Sequence, residues 1–220
     1  MKISFEDVRN YPKVKIYIQK ADEQLDALGY TEHGERHAKI VAKRAGKLLE
    51  ALGYDQRTVE LAKIAGYLHD IGNMVNRDHH AQVGAILAQT ILLEMGMEIE
   101  EVADIMTAIG NHHEEDGYPV SVVSAALILA DKSDVHRSRV RSTQFLGEDI
   151  HDRVNYAATK STIDVVTDSK KIIYDITIDT EIAPVLEYFQ IFLSRMLMAQ
   201  KAARVLGCDF ELYINKTKMV

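Results

Sequence analysis

The sequence predicts a mainly α-helical protein that carries a small β-β-α-β module at its C-terminal end. Two observations carry this expectation: apolar residues recur at helical spacing through the first three-quarters of the chain, and the repeat switches to two after Ala158. Val14, Ile18, Ala21, Leu25 and Leu28 mark the first helix, which Gly29 is placed to stop. A second runs from a start signal at Thr31 through Ile40, Val41, Ala45, Leu48 and Leu49 to Leu52 and Gly53. Asp55 can cap a third, in which Leu61, Ile64, Ala65 and Leu68 lead into His69, Asp70 and Gly72. Further helices are expected at about 81–95, 98–112 and 120–139.

In the last quarter, Ile172, Tyr174, Ile176 and Ile178 alternate with Ile173, Asp175, Thr177 and Asp179, the signature of a strand with one buried face. Residues 162–167 can pair with it across the polar turn Asp168, Ser169, Lys170. A long amphipathic helix then carries Ile182, Val185, Leu186, Phe189, Leu193, Met196 and Leu197, its apolar residues and methionines suited to a core or a dimer interface. Phe210, Leu212 and Ile214 suggest a last strand. The polar stretch Ser142 to Asn155 is the expected boundary between a helical domain, 1–155, and an α+β module, 156–220, with a dimerisation or regulatory role.

Composition narrows the function classes. The 220 residues are 47% apolar and 27% charged, as in an ordinary globular protein, and no apolar run approaches the roughly 18 residues of a membrane span. The first ten residues lack the pattern of a secretory signal, so a cytoplasmic protein is expected. Cys208 is the single cysteine, which excludes an internal disulfide or a cysteine-rich zinc site and leaves histidine and carboxylate as metal donors. A net charge of −7 argues against a polymeric nucleic acid as partner and leaves a small phosphorylated substrate, held by local cations.

Nine histidines are present, and six fall in three groups, His33 with His37, His79 with His80, and His112 with His113. His69 stands beside Asp70 after the apolar run 64–68, and Asp131 ends the apolar run 125–130. Histidine beside carboxylate is a common donor set for transition metals. The order His37, His69-Asp70, Asp131 resembles the HD-domain superfamily, whose members bind metal through a histidine, a His-Asp pair and a later aspartate on separate helices of a bundle. The resemblance implies an HD-type helical bundle for residues 1–155.

Three further matches are similar to the two-metal branch of that superfamily: His80 followed by Gly84-Ala85, the run His112-His113-Glu114, and Asp116-Gly117-Tyr118-Pro119, which resembles the HD-GYP subgroup. The implied ligands are His37, His69, Asp70, His80, His112, His113 and Asp131, enough for two ions bridged by Asp70, with His69 and Asp70 at the catalytic centre. Fe or Mn is favoured, and Zn, Co or Ni also suits the donors. The chain departs from the HD-GYP pattern at Asn73, where that subgroup has lysine, and in a shorter loop before Gly117. His33, one turn before His37, is a candidate extra ligand. His79 is expected to point about 100° away from His80 on a helix.

Other motifs do not fit. His33-Gly34-Glu35-Arg36-His37 lacks the glutamate after its first histidine that a zincin requires, and neither a P-loop nor a dinucleotide fingerprint occurs. Lys132 and Arg137 are candidate phosphate binders and Asn73 a candidate substrate contact; Arg139 and Arg141 read as a solvated helix face. Asp134 can orient a ligand, contact substrate or lie on a helix surface. The expected reaction is metal-dependent hydrolysis of a phosphate ester, probed against two alternatives: a noncatalytic metal-binding or nucleotide-sensing module, and a di-iron oxygenase of HD-like type.

Overall fold

The computed structural model describes every residue except Met1, Phe145 and Glu148. Seven helices form the first part of the chain: α1 Phe5–Asn10, α2 Pro12–Ala27, α3 Glu35–Ala51, α4 Gln56–Leu68, α5 His80–Glu94, α6 Ile99–Gly110 and α7 Val122–Lys132. Short 3-10 turns at Ile71–Met74 and Arg137–Arg139 follow α4 and α7. Helix α8 (Ile150–Ala157) leads into strands β1 (Ala158–Val166) and β2 (Lys171–Ile178), then α9 (Val185–Val205), β3 (Asp209–Ile214) and a two-residue β4 (Thr217–Lys218). The sheet order is β1-β2-β3-β4, with β2 and β3 parallel and the outer pairs antiparallel. The protein is thus mainly helical with a small C-terminal sheet, as its periodicities predict.

Local chemistry sets the ends. Asp55 caps α4 by accepting from the amides of Arg57 (2.9 Å) and Thr58 (3.1 Å). Gly29 and Gly53 both take φ +80°, the left-handed conformation that lets Tyr30 and Tyr54 return hydrogen bonds to Leu25 and Leu49. Residues 123–130 of α7 are all buried, so this short apolar helix runs through the middle of the bundle. It packs against α3, α4, α6 and α9 and carries Asp131 in its last turn.

Several expected boundaries move. The helix expected to reach residue 139 ends at Lys132, because Ser133 Oγ donates back to the Ala130 carbonyl (2.7 Å) and the chain turns to bury Asp134. His79 stands ahead of α5 rather than within it, in a left-handed conformation (φ 57°). Helix α6 stops at Gly110, leaving His112 and His113 just beyond its end. Helix α8 occupies the polar stretch expected to be the domain boundary; Phe145 and Glu148 of that stretch lie outside the described residues. Neither α1 nor β4 was signalled by periodicity.

The sheet is attached to the helices by more than chain connectivity. Tyr174 Oη donates to the Leu129 carbonyl (2.5 Å), Arg44 to the Ser161 carbonyl (2.7 Å), and Ser161 Oγ to the Ser133 carbonyl (2.5 Å). One buried apolar cluster runs from Val8 and Val14 through Leu129 to Tyr174, Tyr188 and Phe192.

Residues 156–220 are therefore expected to be needed for stability. Burial of a large side chain is worth roughly 1.5–3 kcal/mol, so losing Tyr174, Tyr188 and Phe192 alone removes much of the roughly 5–15 kcal/mol that holds a domain. A fragment ending at Asn155 should be insoluble or lose its cooperative thermal transition by circular dichroism. A soluble fragment with the full chain's melting temperature would contradict this.

Candidate metal centre

Three helix C-termini meet at one place. Helix α4 ends at Leu68, followed by His69 and Asp70; α6 ends just before His112; α7 delivers Asp131. The unpaired carbonyls at such ends carry partial negative charge, which favours cations there. His37 enters from the first turn of α3 and His80 is the first residue of α5. Gly72 permits the approach of α5: a Cβ on it would stand 2.0 Å from the His80 carbonyl oxygen and 2.5 Å from the Gly84 nitrogen. Only a residue without a side chain brings His69-Asp70 and His80 this close.

In each of four histidines one ring nitrogen is tied down. Nδ1 of His37 meets Asp134 Oδ2 (2.7 Å), and Nδ1 of His69, His80 and His112 meets the carbonyls of Gly66 (2.9 Å), Arg77 (3.0 Å) and Ile109 (2.6 Å). Those bonds place the proton on Nδ1 and turn the Nε2 lone pairs inward. His37 Nε2 lies 3.3 Å from Asp131 Oδ1 and 3.7 Å from Asp70 Oδ2; His69 Nε2 lies 3.3 Å from Asp70 Oδ2 and 3.7 Å from Asp131 Oδ1. The other oxygen, Asp70 Oδ1, faces His80 Nε2 (3.6 Å) and His112 Nε2 (3.8 Å). Asp70 therefore presents one oxygen to each of two histidine pairs.

The donor set fits metal. His37 Nε2 and His69 Nε2 are buried and have no hydrogen-bond partner among the described residues, an arrangement that costs free energy unless a cation takes the lone pairs. The groups His37-His69-Asp70, His69-His112-Asp131 and Asp70-His80-His112 each have ligand atoms within 4.8 Å of one another. Ligands at ~2.0–2.2 Å from one ion stand at most ~4.4 Å apart, so small side-chain adjustments close each group on a cation.

Electrostatics prepares the same atoms. Burial opposes charge on Asp70 and Asp131, yet surrounding cations and histidines outweigh it and hold both carboxyls well below the usual range. Burial also works against protonated His69, but Asp70 and Asp131 lift it to about 10; the two carboxylates that hold that proton would equally hold a metal cation. For His80, burial and the nearby His112 act together and push it down to about 3, and His112 is lowered too, chiefly by burial. Both are neutral at physiological pH, with a lone pair ready to ligate.

The remaining candidates take varied positions. His113 lies outside the three groups, packed edge to face on His80 with ring centres 4.9 Å apart. His33 holds the Thr31 carbonyl through Nδ1 (2.6 Å) and its ring lies 5.5 Å from that of His37. His79 is exposed. Lys132 is buried between Asp131 Oδ2 (2.8 Å) and Glu114 Oε2 (2.6 Å). Asn73 donates to Asp70 Oδ1 (3.0 Å), and Arg77 donates to Asn73 (3.1 Å). Arg137 lies over the Tyr156 ring. Asp134 is 1% exposed and orients His37, with Arg36 3.1 Å away.

Arg139 is not on a solvated helix face. It is buried and donates to the carbonyls of Glu32 (3.1 Å) and Asp134 (2.8 Å), because α7 ends before reaching it. Arg141 pairs with Asp22 (2.5 Å) across the top of α2. A cavity of about 970 Å³ opens beside His80 and His113 and is lined by Arg77, Arg139 and Arg195 among others. Arg195 escaped sequence reasoning altogether; the available signal was a basic residue next to the buried stripe Tyr188, Phe192, Met196 of α9.

Two predictions follow from this geometry. Asp70→Ala should strip metal from the protein, whereas His79→Ala should leave the metal content unchanged; equal losses in two folded variants, read by elemental analysis, would contradict the assignment of Asp70 as the shared ligand. Asp134→Asn should weaken metal affinity about 10–100-fold, the usual cost of losing a carboxylate behind a ligating histidine. Competition with a chromogenic chelator measures it, and an affinity equal to that of the unmodified protein would remove Asp134 from this role.

Comparison with known proteins agrees with the geometry. Residues 34–141 match the HD domain, a span that contains His37, His69, Asp70, His80, His112 and Asp131. An uncharacterized protein of Methanocaldococcus jannaschii is 29% identical over 161 residues, covering 64% of this chain and 62% of that protein. Ribonuclease Y of Opitutus terrae is 34% identical over 90 residues, covering 40% of this chain and 16% of that enzyme. The chain thus spans less than two-thirds of the length of either relative. Residues 34–141 belong to the HD domain family of metal-dependent phosphohydrolases, and their buried histidine and aspartate cluster fits a metal site.

Proposed function

We propose that this chain hydrolyses a small phosphate ester, a phosphomonoester or a mononucleotide, at a centre of two divalent transition-metal ions, Fe or Mn by preference. The observation that carries the reading is Asp70, a buried carboxylate whose two oxygens face separate histidine pairs beside a cavity lined by arginine. His37, His69 and Asp131 would complete one side and His80 and His112 the other, with His113 joining on the cavity side. When bound, the ions supply Lewis acidity toward the phosphoryl oxygens and lower the pKa of water.

The chain's own residues supply the rest. Asn73 pins Asp70 through Oδ1, and Lys132 neutralises Asp131 at Oδ2, so that Asp131 Oδ1 remains turned toward His37 and His69. Both act on the carboxylates rather than as free phosphate binders. His113 lines the cavity, 3.7 Å from Asp116. The size of the cavity admits a mononucleotide. A net charge of −7 also argues against a polynucleotide, whose binding normally calls for a basic surface.

Asn73 bears on substrate choice as well. A lysine there would add a cation beside the centre; the asparagine is spent on Asp70 and on Arg77. A phosphomonoester or mononucleotide is therefore expected to be hydrolysed with higher kcat/KM than a cyclic dinucleotide or an oligoribonucleotide at fixed Mn²⁺ or Fe²⁺. A steady-state assay of the substrates side by side tests this. A preference for the cyclic dinucleotide or the RNA would overturn the substrate class, and absence of any turnover in metal-loaded protein would favour the noncatalytic alternative.

A further inference from the structure

The HD domain ends at residue 141, but the cavity wall does not. Helices α8 and α9 contribute His151, Asp152 and Asn155, and Ile191, Phe192 and Arg195. Of these, Arg195 is built like a binding group. Its Nε donates to Glu114 Oε1 (2.9 Å), and its guanidinium carbon lies 4.7 Å from the centre of the Phe192 ring. A carboxylate at one edge and an aromatic ring beneath fix the plane of the guanidinium in advance. Among the described residues, no oxygen accepts from Nη1 or Nη2.

The location is specific. Glu114 Oε2 meets Lys132 (2.6 Å), and Lys132 meets Asp131 Oδ2 (2.8 Å), so three polar contacts join Arg195 to a candidate metal ligand. Each of the cavity's other arginines commits a terminal nitrogen: Arg139 donates to Glu32 and, through Nη1, to Asp134, and Arg77 donates through Nη1 to Asn73 and lies over Tyr30. Arg195 alone of the three leaves both terminal nitrogens for a ligand, and a planar pair of N–H donors matches two oxygens of one phosphate.

We propose that Arg195, contributed from outside the HD domain, is a substrate-binding residue that clamps the phosphoryl group through Nη1 and Nη2, with Glu114 as the positioning residue that aims it. This rests on the cavity being a phosphoester site. It makes the C-terminal module part of the binding site as well as part of the core. It also confines the substrate to an ester whose phosphoryl oxygens lie open on the side of α9, as in a terminal phosphate.

The test is the binding of inorganic phosphate to the metal-loaded full chain, by titration calorimetry, in the unmodified protein, Arg195→Ala and Arg195→Lys. Metal content and melting temperature are measured on each. Affinity should fall by at least about ten-fold in Arg195→Ala, the scale of a charge-assisted hydrogen-bonded pair, and less in Arg195→Lys. Millimolar guanidinium should restore part of the loss in Arg195→Ala, which a merely structural defect would not allow. Should the alanine variant unfold, Arg195→Lys carries the test: weaker binding at unchanged metal content supports the clamp, and equal binding overturns it. Phosphate binding within two-fold of the unmodified protein in Arg195→Ala, or no phosphate binding by the unmodified protein, also overturns it. Turnover separates the two readings. Ester hydrolysis that survives Arg195→Ala with unchanged KM defeats the clamp alone, whereas Arg195-dependent phosphate binding without hydrolysis of any ester defeats the catalytic reading alone.

Discussion

A buried carboxylate at the meeting point of three helix ends is the constraint on which the rest of this structure depends. Asp70 is 8% exposed, and an ionised carboxylate in that setting is tolerated only if positive charge and hydrogen bonds surround it. Four imidazole nitrogens stand within 3.8 Å of its oxygens, and Asn73 donates to it directly. Each of those histidines is in turn held by a carbonyl or by Asp134. The cluster is therefore a network in which no member is oriented independently, and its donor set fits a metal cation that would take the lone pairs left over.

The bundle is arranged to supply that network. A largely apolar helix through the centre, α7, gives Asp131 a fixed depth, and the turn at Ser133 folds Asp134 back under His37. Gly72 lets the His69-Asp70 turn press against the start of α5. These are packing decisions with electrostatic consequences: neutral His80 and His112 on one side of Asp70, and His69 lifted to about 10 on the other. A cation entering the centre meets two anionic carboxylates and lone pairs already aimed.

The sheet module extends the same logic outward. Tyr174 and Ser161 tie it to the segment that carries Asp131 and Ser133, so the rear of the metal centre is braced by strands. Helix α9 reaches the front through Arg195 and Glu114. The segment 34–141 holds the candidate metal ligands, while the environment of the cavity is shared with residues well beyond it.

The order of helices and strands was legible in the sequence because burial leaves a period of 3.6 or 2 in the apolar residues, and residues 172–178 show it plainly. The convergence of His37, His69, Asp70, His80, His112 and Asp131 was legible through motif resemblance, since each sits at a helix end or first turn marked by its neighbours. Tertiary structure alone decided the rest. The end of α7 at Lys132 depends on a hydrogen bond from Ser133 and a buried partner for Asp134, and periodicity carries no trace of either. Asn73, read as a substrate contact, is placed against Asp70, and Lys132 is sealed between two carboxylates. Arg195 lies 81 residues from Glu114, and a hydrogen bond over that separation exists only after the sheet and α9 have packed on the bundle. Sequence records which side chains leave water; which charges then face one another is fixed by packing between distant segments.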